Sequence, residues 1–123
     1  MKKRNLGNTG TTVSAVGIGG MSFSDFYGPT DTEKSHAILR KALDLGMDHI
    51  DTSNVYGAGV AEERIGSFLK DQGVRKNDLF KIATKAGIKR GDDGRNRFDN
   101  SSDHLRSELD KSLKRLGVEQ VEL

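Results

Sequence analysis

Apolar positions along this chain alternate between short clusters and longer stripes at helical spacing. "KRNLGNTGTTVSAVGIGG" holds two short extended segments around "GNTG", turn chemistry that predicts a small hairpin over about residues 3–14. The second segment runs on into "AVGIG", a short buried-strand candidate. After a loop, Thr30 or Asp31 caps a helix with Ala37, Ile38, Ala42, Leu43 and Leu45 on one stripe, stopping near Gly46. "DHIDT" is the next strand. The pattern then repeats: "VAEERIGSFLKDQG" puts Ile65, Phe68 and Leu69 on one helical face before Gly73, and "LFKIATK" follows as a strand. A polar loop, "AGIKRGDDGRNRFDNSS", leads to Ser101, a good N-cap for a helix whose Leu105, Leu109, Leu113 and Leu116 recur every three or four residues. Gly117 closes it, and "VEQVEL" begins another strand.

Strands alternating with helices predict parallel βαβ units over about residues 15–123, because each crossover needs a helix to return the chain to the same end of the sheet. Two architectures fit: an open doubly wound sheet, or part of a (β/α)8 barrel, which typically needs about 250 residues. In the second case the 123 residues hold about half a barrel in one incomplete domain. A parallel strand that halts at "VEL" lacks an exit loop and a covering helix, which favours the partial barrel over a small complete domain ending in an edge strand.

Composition narrows the class. The chain is 33% hydrophobic and 31% charged with one proline, which describes a globular piece rather than a disordered one. Twenty basic against eighteen acidic residues leave a net charge of +2, too small and too evenly spread to argue for nucleic acid. The absence of cysteine excludes disulfides and thiol chemistry and agrees with a cytoplasmic location. The three histidines have no metal-ligand spacing, so no metal is expected. "MKKRNL" has a signal-like positive start without the apolar run behind it, and no segment approaches the roughly 20 apolar residues that cross a bilayer.

Three residues stand where parallel sheets build their sites, at strand exits. Asp51 closes the second core strand, Tyr56 lies in the loop behind it, and Lys85 closes the third. Neighbouring strands lie about 4.8 Å apart, so Asp51 and Lys85 are placed to pair beneath the Tyr56 hydroxyl. A free phenol titrates near pH 10; an ammonium beside it favours the phenolate and makes it a better proton donor. On spacing alone, a capping carboxylate, a packed ring and a solvated charge are the favoured account of the same three residues. Glu62 and Glu63 start a helix, where carboxylates suit the dipole and need no function.

Other motifs carry less. "GIGGMSF" lacks both the full G-x-G-x-x-G and the Lys-Ser/Thr of a phosphate loop. The basic loop Lys89, Arg90, Arg95 and Arg97 is interrupted by Asp92 and Asp93 and reads as solvated. Phe23, Phe26 and Tyr27 line a pocket above the first strand or form a local packing cluster. His49, inside a strand, reads as a satisfied sheet residue.

Together these residues resemble the aldo-keto reductase family. "RNLGNTGTTVSAVGIGGMSF" looks like its N-terminal hairpin and first strand, and "GMDHIDTSNVYGAGVAEERIGSFL" matches its signature segment almost throughout. "IATKAG" is similar to its catalytic-lysine strand, and "SSDHLRSELDKSLKRLGVEQVEL" to the helix and strand before its catalytic histidine. The middle segment is highly specific; the others would be weak alone. The resemblance implies the N-terminal part of a (β/α)8 TIM barrel, with about four of the eight strands, that reduces aldehydes or ketones with NADPH. It puts Asp51, Tyr56 and Lys85 in the family's catalytic places, Tyr56 as proton donor, and Gly20, Met21 and Asp51 beside the nicotinamide. The family's histidine falls beyond Leu123, as do most of its cofactor contacts, so the chain is expected to be an impaired or inactive portion. Two other readings stay open: a cofactor-sensing regulatory subunit like those of potassium-channel assemblies, and a half-barrel that forms a homodimer to cover its edges.

Overall fold

The computed structural model describes residues 1–73 and 76–123. Strands β1 (Lys3–Asn5) and β2 (Thr12–Ser14) form the expected hairpin, antiparallel with Arg4 opposite Val13. Leu6 N–H donates to Thr11 O at 2.8 Å and closes the turn.

β3 (Ile18–Gly19), β4 (His49–Asp51) and β5 (Lys81–Ala83) form a parallel sheet in chain order. Ile18, Ile50 and Ile82 stand in register across it, and Gly19, Asp51 and Ala83 make the next row. The isoleucine row is buried with Leu39, Ile65, Phe68, Leu69 and Leu116 in the core. Crossover helices α1 (Thr32–Asp44) and α2 (Val60–Asp71) join the strands, and α4 (Ser102–Leu116) follows β5 after a short α3 (Lys76–Leu79) precedes it. α1 packs on α2 and α2 on α4. Sequential strands with sequential helices side by side are the arrangement of a partial barrel, whereas a doubly wound sheet reverses its strand order and splits its helices between two faces.

Capping chemistry sets the helix bounds. Asp31, rather than Thr30, accepts from Lys34 N–H at 2.7 Å to start α1. Ser101 accepts from His104 N–H at 3.4 Å to start α4, and Gly117 ends it in a left-handed conformation with φ +68°.

Three expectations need correction. The inward face of α1 is Ser35, Leu39 and Ala42, leaving Ala37, Ile38 and Leu45 of the expected stripe exposed. On α4 the buried residues are Ser112 and Leu116, while Leu109 is exposed and Leu105 and Leu113 are half-buried. The helix turns a polar edge, Glu108, Ser112 and Arg115, toward α2 and the loop before it. The segment taken for a polar loop contains a second hairpin, β6 (Ile88–Arg90) with β7 (Asn96–Phe98), antiparallel with Ile88 opposite Phe98. Its strands bury no face, so they lack the apolar alternation that marks a strand.

A fourth correction concerns the strand expected at "VEQVEL": the final segment reaches the free edge of β5 through hydrogen bonds but forms no strand there, so the parallel sheet has three strands among the described residues. Glu122 N–H donates to Ile82 O at 3.0 Å, Thr84 N–H donates to Leu123 O at 2.9 Å, and Ile82 N–H donates to a Glu122 carboxylate oxygen at 2.8 Å. Among the described residues no helix is long and apolar enough to cross a membrane.

The first hairpin is stapled to the start of β4 by Asp48. Ser14 N–H donates to Asp48 Oδ1 at 2.6 Å, Asp48 N–H donates to Ser14 Oγ at 3.1 Å, and Lys3 pairs with Asp48 Oδ2. Partial burial pushes the Asp48 carboxyl up, but the bonds from Lys3 and Ser14 outweigh it and hold the group below its usual 3.8. The folded chain therefore binds this proton less readily than the unfolded one. The resulting stability is complete above pH 3.8 and is lost as pH falls through the lower folded value. Urea titrations at descending pH are expected to show this acid-side loss in the wild type and a flatter profile in Asp48→Asn.

Gly66 generates a second prediction. A Cβ built on it would overlap the carbonyl oxygen of Arg115 and stand 3.0 Å from the carbonyl carbons of Arg115 and Leu116, so α2 and α4 touch backbone to backbone there. Alanine favours a helix over glycine by about 1 kcal/mol, but overpacking costs about 1–3 kcal/mol. Gly66→Ala is expected to lower stability, measured by urea unfolding, despite its better propensity.

Candidate active site

The ladder between β4 and β5 continues past both strands. Thr52 N–H donates to Ala83 O at 2.8 Å and Asn54 N–H to Lys85 O at 3.2 Å, so the two exits leave the sheet in step. The chain then reverses through a short 3-10 turn, Tyr56–Gly59, in which Gly57, Ala58 and Gly59 all have positive φ (62°, 54° and 104°). Glycine reaches this region without strain and alanine does not, so Ala58 holds a strained backbone at the corner. The turn delivers the chain into α2 with Tyr56 half-buried against the core.

Lys85 bridges the exits. Its ammonium pairs with Asp51, donates to Thr52 O at 2.8 Å, and lies 5.3 Å from the centroid of the Tyr56 ring. The side chains of Asp51 and Lys85 are 51% and 48% exposed, open to a ligand above the sheet. The three residues singled out by their place at strand exits thus meet, with the cation over the ring face, an attractive arrangement in itself.

β3 exits beside them into a short helical turn, Gly20–Phe23. Gly20 is buried, and a Cβ there would stand 2.8 Å from Thr52 Oγ1. Gly19, opposite Asp51 in register, has nothing within 4 Å of where its Cβ would be. The backbone beside Asp51 is therefore open. The following loop is tied down by Arg64 of α2, which donates to Phe23 O at 2.7 Å and Thr30 O at 3.3 Å.

A cavity of about 1370 Å³ adjoins the site, with Met21, Phe26 and Tyr56 on one side and the β6–β7 hairpin and the first turns of α4 on the other. Its charges are mixed. Lys89, Arg90, Asp99, Asp103 and Glu108 all line it, Lys89 lies 3.9 Å from Asp99, and Lys111 is 2.7 Å from Glu108. The Lys111 bond holds the Glu108 carboxyl below the usual range against the push of burial, helped by Asn54 Nδ2–H donating at 2.9 Å. Arg97 is engaged by Asp93 through two bonds of 2.8 and 2.9 Å.

The aromatic trio splits: Phe23 is fully buried in the core, while Phe26 and Tyr27 stack edge to face at 5.1 Å and are 69% and 75% exposed. Each histidine is tied to a backbone carbonyl, His36 to Arg64, His49 to Lys81 and His104 to Ala86. Among the described residues no cluster of three or more His, Asp or Glu is placed to hold a metal.

The residue that sequence reasoning passed over is Glu62. It is fully buried, accepts from Thr84 Oγ1 at 2.6 Å and pairs with Arg115 Nε at 2.7 Å. The signal was its phase, since Glu62 falls three and seven residues before Ile65 and Leu69 on the buried face of α2.

The model of the Aldo/keto reductase family matches residues 15–123. The aldo-keto reductase yakc [NADP(+)] of Schizosaccharomyces pombe is 40% identical over 98% of this chain and 34% of its own length. L-galactose dehydrogenase of Arabidopsis thaliana is 38% identical over 98% of this chain and 36% of its own. The solved holo form of the aldo-keto reductase AKR11C1 from Bacillus halodurans superimposes with a TM-score of 0.82 at 33% identity, covering 98% of this chain and 38% of that one. The chain therefore spans about a third of the length of the curated relatives it matches. The sequence match and the fold agree, and the chain belongs to the aldo/keto reductase family.

Proposed function

We propose that this chain carries the proton-donating part of an NADPH-dependent reductase of aldehydes or ketones, with Tyr56 as the donor. The supporting observation is the Lys85 ammonium, anchored by Asp51 and Thr52 O and 5.3 Å from the Tyr56 ring. A nicotinamide cofactor, when bound, supplies a hydride to the carbonyl carbon. Negative charge then grows on the carbonyl oxygen, and Tyr56 passes its phenolic proton there. Lys85 favours the phenolate left behind, and Asp51 fixes the ammonium in place. Gly20, Met21 and Asp51 would hold the nicotinamide, with the open backbone of Gly19 giving it room. The name of the fission-yeast relative favours NADP(H).

The substrate on this reading is a small carbonyl compound seated in the cavity beside Tyr56; no metal, nucleic acid or membrane is needed, and the cytoplasm is the expected location. The intact set of Asp51, Tyr56 and Lys85 favours turnover over a purely sensing role. The final segment covers the β5 edge but, among the described residues, the β3 edge has no further strand paired to it, so the chain would turn over more slowly than a closed barrel, and two chains would tend to pair along that edge.

Fluorescence titration with NADPH, followed by NADPH oxidation against small aldehydes, tests the assignment. Tyr56→Phe is expected to lower turnover by roughly 10²–10⁴-fold, the usual worth of a positioned acid, with NADPH binding retained. Turnover that survives the substitution would remove Tyr56 from the role of donor.

A further inference from the structure

Glu62 is a fully buried carboxylate that the proton transfer does not use. Its two oxygens join three segments. Oε1 accepts from the hydroxyl of Thr84, the residue before Lys85, and Oε2 pairs with Arg115 of α4. Glu62 itself stands in the first turn of α2, directly after the Tyr56–Gly59 corner. The stem of Arg115 underlies that corner, since a Cβ on Gly59 would stand 2.8 Å from Arg115 Cδ. Arg115 also donates to Ser112 Oγ at 3.3 Å, which fixes its guanidinium within α4. One helical stretch earlier, Glu108 accepts from Asn54, two residues before Tyr56. α4 thus grips the tyrosine loop on one side and, through Glu62, the lysine strand on the other.

We propose that Glu62 is a positioning residue: with Arg115 and Thr84 it sets the exit carrying Lys85 against the corner carrying Tyr56. The inference rests on the reductase reading for its catalytic meaning and on geometry alone for the placement. A carboxylate with no water around it must keep both partners, so it transmits a shift of either segment to the other. Thr84→Val removes only the hydroxyl donor while keeping the shape, and Thr84→Ser restores it.

The chain holds two tyrosines, Tyr27 and Tyr56. Labelled with 3-fluorotyrosine it gives two fluorine resonances, assigned by Tyr27→Phe. In Thr84→Val and Glu62→Gln the Tyr56 resonance is expected to move while that of Tyr27 stays, with Thr84→Ser returning it toward the wild-type position. Phe68→Leu, a core change on the same helix outside the network, is the reference and is expected to move neither. In the assay of NADPH oxidation, Thr84→Val is expected to lower kcat by about tenfold, the scale of a small misplacement, without weakening NADPH binding. A Tyr56 resonance that stays put in folded Thr84→Val, or moves as far in Phe68→Leu, overturns the positioning role. Absence of turnover in the wild type overturns the reductase reading instead, and the fluorine spectra still decide the placement.

Discussion

A buried charge fixes how the helices of this chain meet. Taking the Glu62 carboxylate out of water costs several kcal/mol, and removing the partner of such a pair costs on the order of 3–5 kcal/mol. Arg115 reaches it from α4, whose backbone lies against α2 at Gly66. Apolar burial of Ile65, Phe68 and Leu116 supplies a drive toward contact but has no direction. The ion pair adds the direction. It fixes the rotation of α4, and with it the row Glu108, Ser112 and Arg115 that faces α2 and the loop before it.

β4 shows one residue type in two roles. Asp48 enters the strand and Asp51 leaves it, three residues apart on the same chain. Asp48 commits both oxygens to the hairpin, one to Ser14 N–H and one to Lys3, and its carboxyl is held low as a result. Asp51 is half exposed and shares the Lys85 ammonium with a backbone carbonyl. The hairpin closes the entry end of the sheet while the exit end stays open, and the exit end is where parallel sheets generally build their sites.

How much of this was legible in the sequence follows from what each signal measures. Periodicity and caps located β3, β4, β5 and all three long helices, because turn residues and apolar stripes act locally. The stripes of α1 and α4 came out rotated or half covered. Leucines at helical spacing mark an amphipathic face, but which flank is covered depends on neighbours: Leu109 is exposed while the polar Ser112 is buried. The β6–β7 hairpin was invisible because each strand carries a single apolar residue, Ile88 facing Phe98, among Lys, Arg and Asn, too few to make an alternation. Glu62 was read as a partner of the helix dipole, which explains a carboxylate at that position but not one with no exposure. Only its phase with Ile65 and Leu69 distinguished burial from the surface.

The candidate site was legible for a different reason. Asp51, Tyr56 and Lys85 come from two neighbouring strands, and their meeting depends on one ladder, extended by Thr52 N–H to Ala83 O and Asn54 N–H to Lys85 O. In a parallel pair the register fixes which residues exit together, so naming the strands nearly names the site. The tyrosine needs one step more. Its corner requires positive φ at Gly57 and Gly59, and it rests on an arginine thirteen residues into a later helix, information that no window around Tyr56 contains. Residues that meet at strand exits can therefore be read from the strands, whereas the residues that brace them lie wherever the packing of helices brings a charge to the back of the sheet.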